Sequence, residues 1–246
     1  MDKCLRLVVS EDGSSTVYTD RHGEHYHSTH GAVQESRHIF VEAAWRWWTA
    51  HHPEQRTVRI FEVGLGTALN LLLIYNEVAG GAVQGVECHE ADATASARQV
   101  HYTAIERYPL PRQIAEGLNY GGLMEGDDEV MRQIHCAPWG EAVALHRRMT
   151  MVKVEADLCG YTPEQGIDIV FFDAFSPDTQ PELWSQQIFD RLYAAMNDGG
   201  VLTTYCVKGI VKQALRQAGF EIVRLAGPPG KRHILRATKP SPAVAE

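Results

Sequence analysis

Four apolar runs in this chain end on a carboxylate. RIFEVG carries Glu62 two residues before Gly64, HYTAIE ends on Glu106, MVKVEAD on Asp157 and IDIVFFD on Asp173. In open α/β sheets ligands collect outside the carboxyl ends of the strands, so an acid placed there meets whatever binds. Carboxylates gathered in this way attract cations and accept hydrogen bonds from hydroxyl and amino groups, and they repel phosphate. After Asp173 the chain runs into AFSPDTQPELW, a short aromatic and Pro-bearing loop. That places Asp173 where a loop-borne substrate site would be.

Gly64 and Gly66 form a G-x-G turn between a strand pattern and a helix pattern. Glycines there allow a tight turn and let backbone amides approach a ligand. For a dinucleotide fingerprint the third glycine should stand at position 69, which is Leu69. Glu62 beside the turn would also repel a pyrophosphate. It suits a positively charged ligand instead, such as the amino group and sulfonium of S-adenosylmethionine. A nucleoside also needs a carboxylate at the end of the second strand for its ribose hydroxyls. Glu106 is preferred because it ends a run of β-branched and aromatic residues. Glu87 is the alternative, at about the usual ~20-residue interval. Asp157 is then placed to hold an adenine amino group.

These acids require alternating elements. Strand patterns cover VRIFEVG, VHYTAIE, MVKVEAD, IDIVFFD and VLTTYC, with helix patterns over TALNLLLIYNEVA, ADATASARQ, ELWSQQIFDRLYAAM and VKQALRQAG. Strands alternating with helices predict a parallel sheet covered on both faces, and these strands are apolar nearly throughout. EIVRLAG and HILRATK, joined through GPPGK, predict an antiparallel hairpin closing one edge. Ahead of this lie a β meander over residues 5–28 and a helix through Val33, Ile39, Ala43 and Trp47 that ends near Pro53. The division expected is an extension over residues 1–56 covering the ligand site, an α/β domain over 57–240 and a frayed tail over 241–246.

Composition is that of a soluble globular chain, 44% hydrophobic and 22% charged over 246 residues. No apolar stretch approaches the roughly 20 residues that span a bilayer, and the N-terminus lacks a signal-peptide pattern. Five scattered cysteines without a C-x-x-C suit reduced, buried or half-buried thiols in a cytoplasm. The formal charge of −8 argues against indiscriminate nucleic-acid binding. Yet Lys208 to Lys239 holds eight Lys or Arg against one acid, Glu221, so that segment is +7 and the rest is −15. A local basic face of this kind could meet a phosphate backbone. The window HGEHYHSTH holds His22, His25, His27 and His30, but nothing completes a four-ligand zinc set, so no metal is expected.

With these motifs the chain resembles the tRNA methyltransferases that form 5-methylaminomethyl-2-thiouridine at the wobble position, the MnmD type. The similarity runs from about Tyr26 to Lys239. It rests on the E-S-R-x-x-F-V-E stretch, the E-V-G-L-G-T-A-L-N turn that closes on Asn70, Y-T-A-I-E-R-Y-P-L, F-F-D-A-F-S-P-D-T-Q-P-E-L-W and G-P-P-G-K-R-H. It implies a Rossmann-like class I methyltransferase fold and S-adenosylmethionine as cofactor. Glu62, Gly64, Gly66, Asn70, Glu106 and Asp157 would serve that cofactor, with Tyr26 and Ser28 on the covering extension. Asp173 would stand at the reaction centre. One departure is Ala68, where the family's usual residue is glycine. The flavin-dependent oxidase often fused to such a domain would here be a separate partner.

The activity implied is methyl transfer to the 5-aminomethyl group of a tRNA wobble uridine. Asp173 would pair with the substrate ammonium, take its proton and offset charge developing on nitrogen. Phe175 would stack on the uracil, and Lys208, Lys231 and Arg232 would hold the anticodon loop through its phosphates. Two other readings stay open: methyl or aminopropyl transfer to a free small amine, and a non-enzymatic nucleotide- or RNA-binding module.

Overall fold

The computed structural model describes residues 5–80, 98–124 and 128–241. Its main body is one eight-stranded sheet of order β10-β11-β9-β8-β4-β5-β7-β6. The strands are β4 (Thr57–Val63), β5 (Gln99–Glu106), β6 (Ala142–His146), β7 (Met149–Glu155), β8 (Ile167–Phe172), β9 (Met196–Thr204), β10 (Glu221–Ala226) and β11 (His233–Thr238). Pairings β4–β5, β4–β8, β5–β7 and β8–β9 are parallel. From β4 the chain builds outward through β5 to β7, then returns to the other side of β4 for β8 and β9. The order therefore reverses between β4 and β8, and the crevice above their carboxyl ends is where such folds bind ligands.

The central strands are buried on both faces. β8 shows the pattern most simply: Ile169 and Phe171 pack into one apolar layer, Val170 and Phe172 into the other, and all four are fully buried. The first layer is completed by the long helix of the extension, made of Ala32–Ser36, a π-helical stretch Arg37–Arg46 and Trp47–His51, and by the Leu69–Ala79 helix. The second layer holds the Gln186–Ala195 and Gly209–Ala218 helices. The expected C-terminal hairpin is present as β10–β11, and β11 pairs antiparallel with β9.

Several boundaries differ from expectation. β9 starts at Met196, directly after the preceding helix, because Asn197–Gly200 takes up the turn within the strand itself. The expected helix 182–196 is a 3-10 turn, Pro181–Trp184, followed by Gln186–Ala195. β6 was not anticipated; it is a short edge strand folded back on β7 with a bulge between Ala144 and His146. The helix expected over ADATASARQ lies largely outside the described residues, as does Glu87, while Gln99 already belongs to β5. Among the described cysteines Cys206 is buried, but Cys136 and Cys159 are exposed, correcting the expectation that each would be buried or half-buried. Among the described residues no helix is long and apolar enough to cross a membrane.

The extension forms a separate three-stranded sheet of β1 (Leu5–Val9), β2 (Ser15–Thr19) and β3 (Glu24–His25). It is fastened to the main body by side chains. Glu24 accepts hydrogen bonds from the Ser176 amide (3.2 Å), the Ser176 hydroxyl and the Thr179 hydroxyl (2.9 Å), which ties β3 to the loop after β8. His27 is buried and shares a 2.6 Å hydrogen bond with Thr67 in the glycine turn.

Gly64 sits at φ +88°, where a Cβ would lie 2.8 Å from the Asp173 carbonyl oxygen. The glycine is thus what lets β4 and β8 end side by side, and the Asp173 amide donates to Val63 O at 3.0 Å across that gap. Gly64→Ala is expected to destabilise the protein by about 2 kcal/mol, because it adds left-handed strain to a backbone clash. Urea unfolding of the variant and the parent protein measures this; an unchanged midpoint would contradict the close approach.

Candidate active site

Above the carboxyl ends of β4, β5 and β8 opens a cavity of about 900 Å³, walled on the far side by Arg21–Thr29 of the extension. Tyr26, Ser28, Gly64, Gly66, Glu106, Asp157, Asp173 and Phe175 all line it. The geometry therefore brings together most of the residues expected from sequence.

Glu106 is held by two amides: Gly66 N donates to Oε2 at 3.0 Å and Tyr108 N to Oε1 at 2.8 Å. One carboxylate thereby joins the glycine turn to the end of β5. Burial raises its pKa, while those backbone donors pull it back. Tyr26 lies across Gly66, where a Cβ would come within 2.8 Å of its ring, so that glycine makes room for the extension as well as for a ligand. Asp157 reaches the cavity, but Arg107 pairs with it at 2.7 Å and Cys159 N donates to it at 2.9 Å, so an incoming amino group would share its oxygens.

Glu62 and Asn70 differ from expectation. Both are buried beneath the glycine turn and neither lines the cavity, because the pleat of β4 aims Glu62 at the Leu69–Ala79 helix. Asn70 Nδ2 donates to Glu62 Oε1 at 2.9 Å and to Asp173 Oδ2 at 2.8 Å. Glu62 therefore acts on the cavity at one remove, through the amide. Burial pushes its pKa well above the ordinary carboxylate range, and the nearby Asp173 charge adds to the effect.

Asp173 is the acid of this pair that faces the cavity. Burial lifts its pKa to about 7; the Asn70 hydrogen bond opposes the rise, Glu35 adds to it, and Lys231 offsets it. Phe175 is packed by two rings of the extension, His22 at 4.4 Å and Tyr26 at 4.9 Å between centroids, while Trp184 Nε1 donates to its carbonyl at 2.8 Å. Its stacking surface is thus partly taken by the extension.

The basic residues separate. Lys231 points into the cavity wall, paired with Glu35 at 2.7 Å and lying 4.5 Å from the Tyr205 ring centroid, which corrects its expected place on an outer phosphate face. Its position is set by the buried Glu35 carboxylate. Lys208 is exposed, away from the cavity, and pairs with Asp178. Arg232 is exposed and does not line the cavity. Of the histidines, His22 packs on Phe175, His25 on Tyr18, His27 bonds Thr67 and His30 pairs with Glu11. Burial and Lys231 lower the His27 pKa to about 4, which leaves that ring neutral.

Glu24, Glu35 and Tyr205 were not found from sequence. Glu35 gave one signal: it precedes Ile39 and Ala43 at helical spacing, an acid on an otherwise apolar face. Glu24 and Tyr205 gave none, since their partners are remote in the chain.

Residues 134–240 match a family described as S-adenosyl-L-methionine-dependent methyltransferases. The chain is 31% identical over 243 residues to the tRNA 5-methylaminomethyl-2-thiouridine biosynthesis bifunctional protein MnmC of Chromohalobacter salexigens, covering 92% of this chain and 32% of that protein. It is 29% identical to the MnmC of Methylobacillus flagellatus, covering 89% and 33%. The chain thus spans about a third of the length of the curated relatives it matches. In fold it is similar to MNMC2 from Aquifex aeolicus, with a TM-score of 0.73, 22% identity, and 98% of this chain and 71% of that one covered. It is also similar to spermidine synthase from Thermotoga maritima, with a TM-score of 0.56 at 12% identity, covering 96% and 69%.

The raised pKa of Asp173 has a signed consequence. Between about pH 4 and pH 7 the folded state binds a proton that the unfolded state has released, so this group's contribution to stability falls as pH rises through that window. Asp173→Asn is expected to be more stable than the parent at pH 8, by on the order of 2 kcal/mol once cavity water is allowed for. The gain should vanish near pH 4. Denaturant unfolding at both pH values measures it, and a gain independent of pH would contradict the assignment. By sequence along nine-tenths of its length the chain is similar to about a third of the length of the MnmC proteins, by fold it is similar to MNMC2, and residues 134–240 match the S-adenosyl-L-methionine-dependent methyltransferase family.

Proposed function

We propose that the protein transfers a methyl group from S-adenosylmethionine to the 5-aminomethyl nitrogen of a tRNA wobble uridine. The observation that carries this reading is the Asp173 carboxyl, which borders the cavity beside the Gly64–Gly66 turn, where burial lifts its pKa to about 7. The cavity fits the donor on its own evidence. Gly64 and Gly66 bring the turn onto the cavity wall against the Asp173 carbonyl and the Tyr26 ring, and the carboxylates of Glu106, Asp157 and Asp173 line the same cavity. Glu106 keeps lone pairs for ribose hydroxyls, Asp157 stands at the adenine end, and Tyr26 and Ser28 cover the site. From below, the Asn70 amide holds Asp173 in place by donating to it and to Glu62. When bound, S-adenosylmethionine supplies a methyl group on a sulfonium.

A primary alkylamine is mostly protonated in neutral water and must lose that proton to become a nucleophile. Asp173, half-ionised near pH 7, pairs with the ammonium, takes the proton and returns it to solvent. The neutral amine would then accept the methyl group that the donor supplies, sulfur keeping the electron pair of the carbon–sulfur bond. Alignment of the three atoms is the main task left to the walls, and the negative field of Asp173 offsets the charge appearing on nitrogen. Phe175 flanks the base. Exposed Arg232 and Lys208 present positive charge outside the cavity for phosphates. We assign residues 1–56 as the cover, 57–240 as the methyltransferase domain and 241–246 as a tail, working in the cytoplasm downstream of a flavin-dependent oxidase. A free polyamine-like substrate is the second reading, favoured by the paired acids Asp173 and Glu35 on one cavity.

The test is labelled methyl transfer from S-adenosylmethionine to tRNA of cells blocked before the final methylation, with nucleosides identified by mass spectrometry. Label in the wobble nucleoside is expected; label only in added small amines supports the second reading. Asp173→Ala should lower kcat at least about 100-fold while changing donor Kd only severalfold. Equal losses would make Asp173 a binding residue. Arg232→Ala should reduce the salt slope of tRNA binding by about one unit, and an unchanged slope would remove its phosphate role.

A further inference from the structure

Lys231 sits in surroundings that are themselves an ammonium site. Its Nζ is 2.7 Å from Glu35 Oε2 and 4.5 Å from the centroid of the Tyr205 ring, with Asp173 on the same cavity. A carboxylate, an aromatic face and a second acid are the groups that hold a primary ammonium elsewhere in chemistry. The carboxylate is costly where it stands. Glu35 is 7% exposed, on a helix face otherwise committed to the core; beyond the ion pair with Lys231, among the described residues the Ser28 amide donates to its Oε1 at 3.3 Å. Tyr205 is fixed independently, its hydroxyl donating to Ala174 O at 2.9 Å beside Asp173.

Lys231 is carried by a loop and not by the sheet. It lies on the 227–232 loop between β10 and β11, which closes on itself through Gly227 N to Arg232 O (3.1 Å) and Lys231 N to Pro228 O (2.9 Å). The β10–β11 ladder starts beyond that loop, at Ala226 and His233, so the lysine can leave without breaking the sheet. Its ammonium is strongly hydrated and carried on a flexible stem, so solvent or phosphate can receive it.

We infer that Glu35, Tyr205 and Asp173 form the subsite for the substrate's primary ammonium, and that Lys231 fills this subsite from within until a bound substrate displaces it. This rests on the function proposed above, whose substrate carries an aminomethyl group. Two consequences follow from the exchange. Free small amines meet an occupied site and are excluded, whereas an amine delivered by a large ligand anchored elsewhere can compete. The displaced Lys231 emerges next to exposed Arg232, where it adds a cation for a phosphate. The basic loop then senses RNA and opens the amine site together.

Calorimetry of the nucleoside 5-aminomethyluridine against the full chain, saturated with unreactive S-adenosylhomocysteine, tests the exchange without catalysis. Lys231→Met is expected to bind the nucleoside at least about 10-fold tighter than the parent. Adding Glu35→Gln to that variant should return affinity to the parent level or below. Lys231→Gln repeats the measurement should the methionine variant unfold early, as followed by thermal melting. Nucleoside affinity unchanged by removing Lys231, or undiminished when Glu35→Gln is added, overturns the subsite. Those results alongside intact methyl transfer to tRNA leave the function standing; absent tRNA methylation by the parent protein removes the function itself.

Discussion

One amide group carries the tension on which the site depends. The Nδ2 of Asn70 donates to Glu62 and to Asp173 at once, holding two carboxyl groups together where water scarcely reaches. Burial lifts the pKa of both, the Asp173 charge adds to the rise at Glu62, and Lys231 offsets part of it at Asp173. Two like charges in a low-dielectric setting cannot both ionise cheaply. Such a pair is destabilising for the empty protein and favourable once a cation arrives. The glycine turn and the end of β8 are arranged so that Asp173, and not Glu62, faces the cavity.

The cover follows from the same constraint. An acidic cavity left open to solvent would let its carboxyl groups ionise at ordinary pH and lose their bias. The extension walls the cavity on one side and is fastened there by Glu24 on the loop after β8 and His27 on Thr67, with Tyr26 lying across Gly66. Phe175 is held in the same clasp, so the loop that follows Asp173 is ordered by residues some 150 positions earlier in the chain. The lysine–glutamate pair at Lys231 and Glu35 places one positive charge at the same cavity, where it partly offsets the acids.

Much of this was legible in the sequence because the sheet dictates it. Apolar runs that end on acids gave the strand order's business end, and Glu106, Asp157 and Asp173 do line one cavity. The antiparallel closing hairpin was legible from its apolar alternation and its glycine-proline loop. What escaped depends on facing direction or on contacts far apart in sequence. The pleat turns Glu62 under the turn instead of toward the ligand, which a G-x-G spacing cannot reveal. Lys231 reads as one of eight surface cations until the buried Glu35 is seen beside it. Arg236 likewise lies 4.0 Å from the centroid of the Trp47 ring, and Lys239 donates to the Tyr193 and Met196 carbonyls, so the basic segment is partly structural. Edge strand β6 has only five residues and a bulge, too short for its period to stand out.

The most direct measurement is the titration of the Asp173 carboxyl carbon by NMR, with and without S-adenosylmethionine. The account predicts a midpoint near pH 7 in the empty protein, lowered clearly by the sulfonium donor and less by uncharged-sulfur S-adenosylhomocysteine. A midpoint near that of an ordinary aspartate in the empty protein, unmoved by either ligand, would contradict it.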